Sequence, residues 1–230
     1  MKLEPMPLFW LAMTLVAYLG SRWLYRRTGR YVLSPLILVP AVLLAIAVPL
    51  HTAYAEYSGN THWLMLLLGP VTVAFAVPIW QQRAMLALHW PALLLGMLAG
   101  SVVSIASSWG LAHALALDNP VIMSLVPRSI TTPFAMPLAR DLGGVPELAA
   151  VFVMFTGVFG AMLGGILLKW LPLRTALARG ALFGVAAHGA GVSRAQEIGG
   201  EEGTVAGLVM VLTGLLNLCA APVLAAFAMA

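Results

Sequence analysis

The stretch SLVPRSITTPFAMPLAR, residues 124–140, decides how this chain is read. It is apolar enough to enter a membrane, yet it holds three prolines, a Ser-Ile-Thr-Thr cluster and an arginine, Arg128, about where the bilayer centre would fall. A proline removes a backbone donor and clashes with the turn before it. Lipid cannot satisfy the amide and carbonyl groups so freed, and interrupted backbone is tolerated only inside protein or beside a watery cavity. The stretch therefore predicts an interior site.

Its surroundings agree. The 230 residues are 61% hydrophobic and 9% charged, with a mean hydropathy of +0.96, whereas a soluble domain carries about a quarter of its residues as charges. The composition predicts an all-α polytopic membrane protein of seven or eight membrane segments in a single domain, residues 1–230. Within it, 1–32 form a first span and basic loop, and 33–230 the remainder. Apolar runs near the roughly 20 residues needed to cross fall at 7–24, 35–50, 63–80, 91–117, 120–138, 146–171, 177–198 and 203–228. In the opening MKLEPMPLFWLAMTLVAYLGSRWLYRR the basic residues follow the apolar run, so it reads as a retained span and not a signal peptide. The single cysteine, Cys219, excludes an intrachain disulfide and reads as a small core residue. The net charge of +4 comes from arginines spread over loops, which argues against a nucleic-acid surface. The densest basic loop, RWLYRRTGR at 22–30, belongs in the cytoplasm and places the N-terminus outside.

The segments differ in kind. The fourth, sixth and eighth read as long packing helices, with small residues at Gly96, Gly100, Ser101 and Ser104 and at Gly157, Gly160 and Gly164. The third, fifth and seventh are interrupted: LLLGPVTVAFAVPIW by Pro70 and Pro78, the opening stretch by Pro127 and Pro133, and LFGVAAHGAGVSRAQEIGGEEG by Gly189 and Gly191. Phe75-Ala76-Val77-Pro78 matches Phe134-Ala135-Met136-Pro137, and each precedes a long apolar helix, as in an internal duplication. If every segment crossed, the basic loop KWLPLRTALAR would lie outside. A fifth segment that enters and leaves on one face returns that loop to the cytoplasm. A broken helix that does cross is the other reading open at this point.

The interrupted segments carry the chemistry. An arginine at membrane depth costs about 2.5 to 3.5 kcal/mol on insertion scales, so Arg128 needs an interior anion or water. Ser129, Thr131 and Thr132 beside it, and Thr72 in the third segment, offer hydroxyl donors. Pro127 and Pro133 favour helix starts, whose free amides and dipole attract anions. The structural alternatives are an ion pair of Arg128 with Glu147 or Asp141, and hydroxyls bonded to their own turn. In the seventh segment His188 suits proton relay or donation to a ligand. Ser193 and Arg194 offer further anion contacts, and Glu197 is a second proton-coupling candidate. A satisfied structural histidine and an interfacial ion-paired helix end are the alternatives there. His51, His62, His89 and His113 lie near span ends without ligand spacing, and no metal, cofactor or nucleophile motif is present. The residues predict a protein that is not an enzyme and needs no cofactor.

These residues resemble the LrgB/CidB family of bacterial membrane proteins, which also forms a domain of the plastidal glycolate/glycerate translocator. The resemblance spans about 33–226 and rests on LGPVTVAFAVP (68–78), SLVPRSITTPFAMPLARDLGGVPELAAVFVMFTG (124–157) and ARGALFGVAAHGAGVSRAQEIGGEEG (178–203). The chain departs from the family's usual Ser-His at Ala187-His188, from Gly-Thr-Ala-Arg at Gly191-Val192-Ser193-Arg194, and from Asn-Pro at Ser34-Pro35. These departures weaken the transfer of substrate identity from any relative.

The resemblance implies two functions: antiholin-like or holin-like control of murein hydrolase export and autolysis with a small LrgA/CidA-type partner, and transport of glycolate, glycerate or pyruvate. It also implies the bacterial cytoplasmic membrane. A pore former has no need of helices broken around an arginine, hydroxyls and a histidine. The reading that follows is a secondary transporter of small monocarboxylates, held by Arg128, hydroxyls and helix ends and proton-coupled through His188 or Glu197. Glycine-rich long helices suggest a homodimer.

Overall fold

A computed structural model of the chain describes residues 6–74 and 76–228; the side chain of Thr72 and all of Phe75 lie outside what it describes. The described residues are helical, without strands, and form two compact units that divide between Val73 and Ala74.

The first unit holds α1 (Met6–Thr28), α2 (Pro35–Ala47), α3 (Tyr54–Leu66) and α4 (Leu68–Ala74). Its core is Trp10, fully buried and edge-on to the Tyr57 ring at 5.7 Å. Thr14 Oγ1 donates to the Trp10 carbonyl at 2.7 Å and lies 3.2 Å from the Tyr57 hydroxyl, tying α1 to α3.

The second unit holds α5 (Ala76–Gln81), α6 (Arg83–Ala114), α7 (Asn119–Leu125), α8 (Thr132–Asp141), α9 (Pro146–Trp170), α10 (Ala176–Ile198), α11 (Gly200–Cys219) and α12 (Ala221–Ala228). Only α6, α9 and α11 are long and apolar enough to cross a membrane among the described residues. They form a frame. Leu93 and Met97 of α6 pack on Val205 and Val209 of α11, and Asn217 Nδ2 donates to Ser101 Oγ at 2.8 Å. The order of these contacts makes α6 and α11 run the same way.

Two hairpins fill the frame. In the first, α7 leads into a 3-10 turn, Val126–Ser129, and an extended pair, Ile130 and Thr131, before α8 returns. Pro127 suits the tight turn and the β-branched run Ile130-Thr131-Thr132 suits extended backbone. The return is fixed at its base, where the Val145 amide donates to Ser124 Oγ at 2.8 Å and Leu142 packs beside Ile122 and Met123. Phe134 and Leu138 of α8 lie in a core with Val153 of α9 and Met210 and Val211 of α11.

The second hairpin is α10 itself. His188 sits inside it at φ 45°, ψ −129°, a conformation glycine adopts readily and other residues rarely. The helix reverses there: Gly191 lies so close to the Phe183 carbonyl oxygen that a Cβ would be 2.2 Å from it. In a straight helix those residues stand about 12 Å apart. The two arms, 176–187 and 189–198, then hand over to α11 at extended Gly199.

The contacts along α9 give the hairpins' directions. Its start adjoins the base of the first hairpin at Ser124. Thr156 meets the first tip and Gly157 the second. Gly160 then faces Ala186, and Gly164 faces Phe183. Thus the hairpins enter from opposite ends of α9 and meet tip to tip about midway along it.

Several expectations change. Segment 177–198, expected to be interrupted at its middle, is a hairpin that reverses at His188. The fifth segment turns back, as the charge count favoured. Pro70 is the third residue of α4, directly after the break at Leu67, and Pro78 lies within α5 (Ala76–Gln81). Gly157, Gly160 and Gly164 let another helix approach closely, as their spacing predicted, and that helix is α10 of the same chain. Cys219 is exposed, not a core residue.

Candidate functional site

The site lies where the tips meet, wholly within the second unit. Arg128 projects from the 3-10 turn onto hydroxyls of the frame: its Nε donates to Ser108 Oγ, one Nη to Ser107 Oγ at 3.4 Å and the other to Thr156 Oγ1 at 3.5 Å. The Ser108 hydroxyl in turn donates to the Ser104 carbonyl at 2.7 Å. These partners are neutral. The ion pairs among the described residues are Arg179–Glu202 and Arg194–Glu197, so Arg128 pairs with neither Glu147 nor Asp141. It lines a cavity of about 360 Å³ with Thr156, Phe159, Gly160, Leu163 and Ala186.

His188 closes the second tip. Its ring is buried and hydrogen-bonds the Ser129 main chain, with the Arg128 charge near it. A Cβ on Gly157 would stand 3.7 Å from its Nδ1. Ser129 Oγ and His188 Nε2 are both buried and without a hydrogen-bond partner. Thr131 and Thr132, half-buried, stand at the start of α8, and Thr131 makes no side-chain cap.

Two helix starts converge here, α8 and the second arm of α10. In α8 Pro133 has no amide hydrogen and the Phe134 and Ala135 amides donate to the Thr131 carbonyl at 2.9 and 3.0 Å, so Arg128 is the main anion-attracting group at the spot.

The structure does not bring every expected residue to it. Ser193 donates to its own turn, at the Gly189 carbonyl, 3.2 Å. Arg194 is bound to Glu197 and lies against Gly165, nine residues along α9 from Thr156, or roughly 13 Å at 1.5 Å per residue. These three belong to the helix end, the structural alternative of the sequence reading. Thr72 has no described side chain. Conversely, Ser107, Ser108 and Thr156 were not anticipated. The serines of SVVSIASSW at 101, 104 and 108 share one helical face, a spacing that marks a polar stripe on an otherwise apolar helix. Among the described residues no group of three His, Cys, Asp or Glu is placed to hold a metal.

A frame of apolar helices enclosing two opposed hairpins, with a cation at their tips, defines a helical membrane protein built around a polar interior site. The chain belongs to the LrgB-like family, whose match covers residues 14–227 and so takes in most of α1 as well as the stretch from 33 onward. It is 37% identical over 217 residues to the uncharacterized protein YwbG of Bacillus subtilis (strain 168), covering 94% of this chain and 96% of that one. It is 35% identical to the uncharacterized protein YxaC of the same organism, over 89% of each. The antiholin-like protein LrgB of Bacillus subtilis is 29% identical over 94% of each chain. No solved structure matches.

Proposed function

We propose that this protein is a secondary transporter of small monocarboxylates of the glycolate, glycerate or pyruvate kind in a bacterial cytoplasmic membrane. The observation that carries the reading is Arg128: a cation at the meeting point of two hairpins, held among the described residues by neutral hydroxyls, lining a cavity of about 360 Å³. A carboxylate there would gain charge-assisted bonds from the guanidinium. Hairpin followed by long helix occurs twice, over 119–170 and 176–219, in opposite directions. Rocking of one half on the other offers alternating access to the shared midpoint. Lys169, Arg174 and Arg179 gather at the end of α9 where α10 begins, and by the positive-inside tendency that end faces the cytoplasm.

His188 between the tips is the proton-coupling candidate. Uptake of labelled glycolate into proteoliposomes is expected to rise with an imposed pH gradient, and His188→Gln is expected to abolish that response. An unchanged response removes His188 from coupling.

The second reading is antiholin-like action with a small LrgA/CidA-type membrane partner, and the name of the 29%-identical relative favours it. The two relatives at 35–37% identity carry no functional name. Reconstitution alone and with such a partner separates the readings: saturable carboxylate uptake supports transport, and dye leakage without saturation supports the pore-related role. A homodimer would not use Gly157, Gly160 and Gly164 of α9, since they face α10.

A further inference from the structure

The cavity beside Arg128 is larger than a small hydroxy or keto acid requires, and its two ends are unlike. About 360 Å³ would hold about twelve waters at roughly 30 Å³ each, whereas glycolate has about five heavy atoms. Arg128 and Thr156 supply the polar end. The remaining lining, Phe155, Phe159 and Leu163 with Gly160 and Ala186, offers no polar side-chain atom.

Helix geometry gives the cavity its direction. Positions 155, 159 and 163 recur every four residues and so follow one face of α9, with Thr156 and Gly160 beside them. From Thr156 to Leu163 the helix advances roughly 10 Å at 1.5 Å per residue. Gly160 makes a furrow of this stretch: it has no side chain, and α10 comes so close that a Cβ there would stand 2.6 Å from the Ala186 carbonyl oxygen. The rings of Phe155 and Phe159, 6.5 Å apart and inclined by only 22°, line it as well. Phe155, Phe159 and Leu163 are 51%, 57% and 55% exposed, so within the second unit the furrow is open sideways along its length.

A cation at one end and hydrocarbon along the rest match an amphiphile with an anionic head and an apolar tail. A hydroxyl or a second charge carried along the tail would meet no polar partner there, and leaving water without one is costly. An extended alkyl chain advances roughly 1.3 Å per carbon, so the furrow has the length of about eight carbons.

We propose that the furrow from Thr156 to Leu163 is a tail-binding subsite, so that the protein takes straight-chain monocarboxylates of up to about eight carbons and holds them more tightly than the small acids. The carboxylate sits on Arg128 and the tail lies along α9 towards Leu163. This rests on the carboxylate reading of Arg128. The tail touches protein on one side only, so each methylene gains about half of what complete burial would give.

The test is competition against labelled glycolate by acetate, butyrate, octanoate and dodecanoate on the purified full chain in lipid nanodiscs. Octylammonium serves as the same tail with the wrong charge. Complete burial of a methylene is worth about fourfold and half burial about twofold, so octanoate is expected to bind about 50-fold more tightly than acetate and dodecanoate no better than octanoate. Octylammonium is expected not to compete. Leu163→Asn, which puts an amide at the tail's end, and Leu163→Trp, which obstructs that end, are each expected to cut the octanoate-to-acetate ratio to about tenfold. A flat series, or a wild-type ratio retained in both variants when both are folded by circular dichroism, overturns the furrow and leaves the carboxylate reading standing. A series that keeps rising through dodecanoate, or competition by octylammonium, marks partition into the bilayer and overturns the furrow as well. Absence of glycolate binding by the wild type, or acetate binding undiminished in Arg128→Ala, overturns the carboxylate reading and the furrow with it.

Discussion

The two hairpins reach the same point by opposite means. The first spends six residues, 126–131, on its reversal: a proline-led 3-10 turn and an extended pair, with a charged side chain anchored to α6 and α9 by three hydroxyls. The second reverses at one residue, His188, and presents an uncharged ring. The first tip is therefore held from outside by side chains, while the second is held by its own backbone and by glycines that let its arms touch. Anchoring by side chains leaves the first tip separable from its frame by single hydroxyl losses. Close backbone contact makes the second tip all-or-none.

The largest effects should follow from that second mode. Gly191→Val puts carbon where the Phe183 carbonyl oxygen already is. No rotamer relieves a clash with backbone, so the hairpin cannot close. A cost of at least about 3 kcal/mol is expected, seen as loss of monodisperse protein in size-exclusion chromatography. A Gly191→Val protein that stays folded with unchanged melting temperature would refute the fold-back of α10. Next comes Arg128→Ala, which removes charge from the first tip without touching its turn. Binding of glycolate by isothermal calorimetry should weaken roughly 50-fold, the scale of a lost charge-assisted contact, while the melting temperature changes little. Equal binding would separate the first tip from anion recognition altogether.

How much of this was legible in the sequence follows from the same contrast. The first hairpin announces itself through Pro127, Pro133 and a misplaced arginine, features whose local cost requires a special setting. The interruption of α10 was legible in Gly189 and Gly191, but its full reversal was not, because glycines signal only weakness in a helix and the reversing residue is a histidine. Helix periodicity continues through both arms, so nothing in the apolar pattern marks position 188. Arg194 looked like a second anion contact since it lies six residues from His188, but a reversal at 188 carries it away from the tips and along α9. The hydroxyls that hold Arg128 were missed for a different reason. Serines on a long helix read as packing residues, and which face they share with an arginine 20 residues later is a tertiary fact.

A smaller prediction sharpens the role of those serines. Ser108→Ala removes the partner of Arg128 Nε and leaves the two longer contacts, to Ser107 and Thr156. Glycolate binding is expected to weaken by about fivefold, with Ser108→Thr restoring it. In an Arg128→Ala background Ser108→Ala should have no further effect on binding. An additive loss in that double-mutant cycle would mean that the serine contacts the ligand itself and does not act by positioning the arginine.

The smallest effect tests the second tip's backbone. Two truncations of His188 remove the same ring but differ in what they leave behind. Alanine keeps a Cβ at φ 45°, ψ −129°, whereas glycine adopts that conformation freely. In an ordinary helix interior glycine would be the worse residue by about 0.5 to 1 kcal/mol. At 188 the order should invert, with His188→Gly more stable than His188→Ala by about 1 kcal/mol. Both lose the buried ring equally, so the difference between their melting temperatures reports the strain on alanine less the unfolded-chain entropy that disfavours glycine. Alanine equal to or better than glycine would mean that the arms meet through helical backbone, and the contrast between a tip held by side chains and a tip held by backbone would collapse.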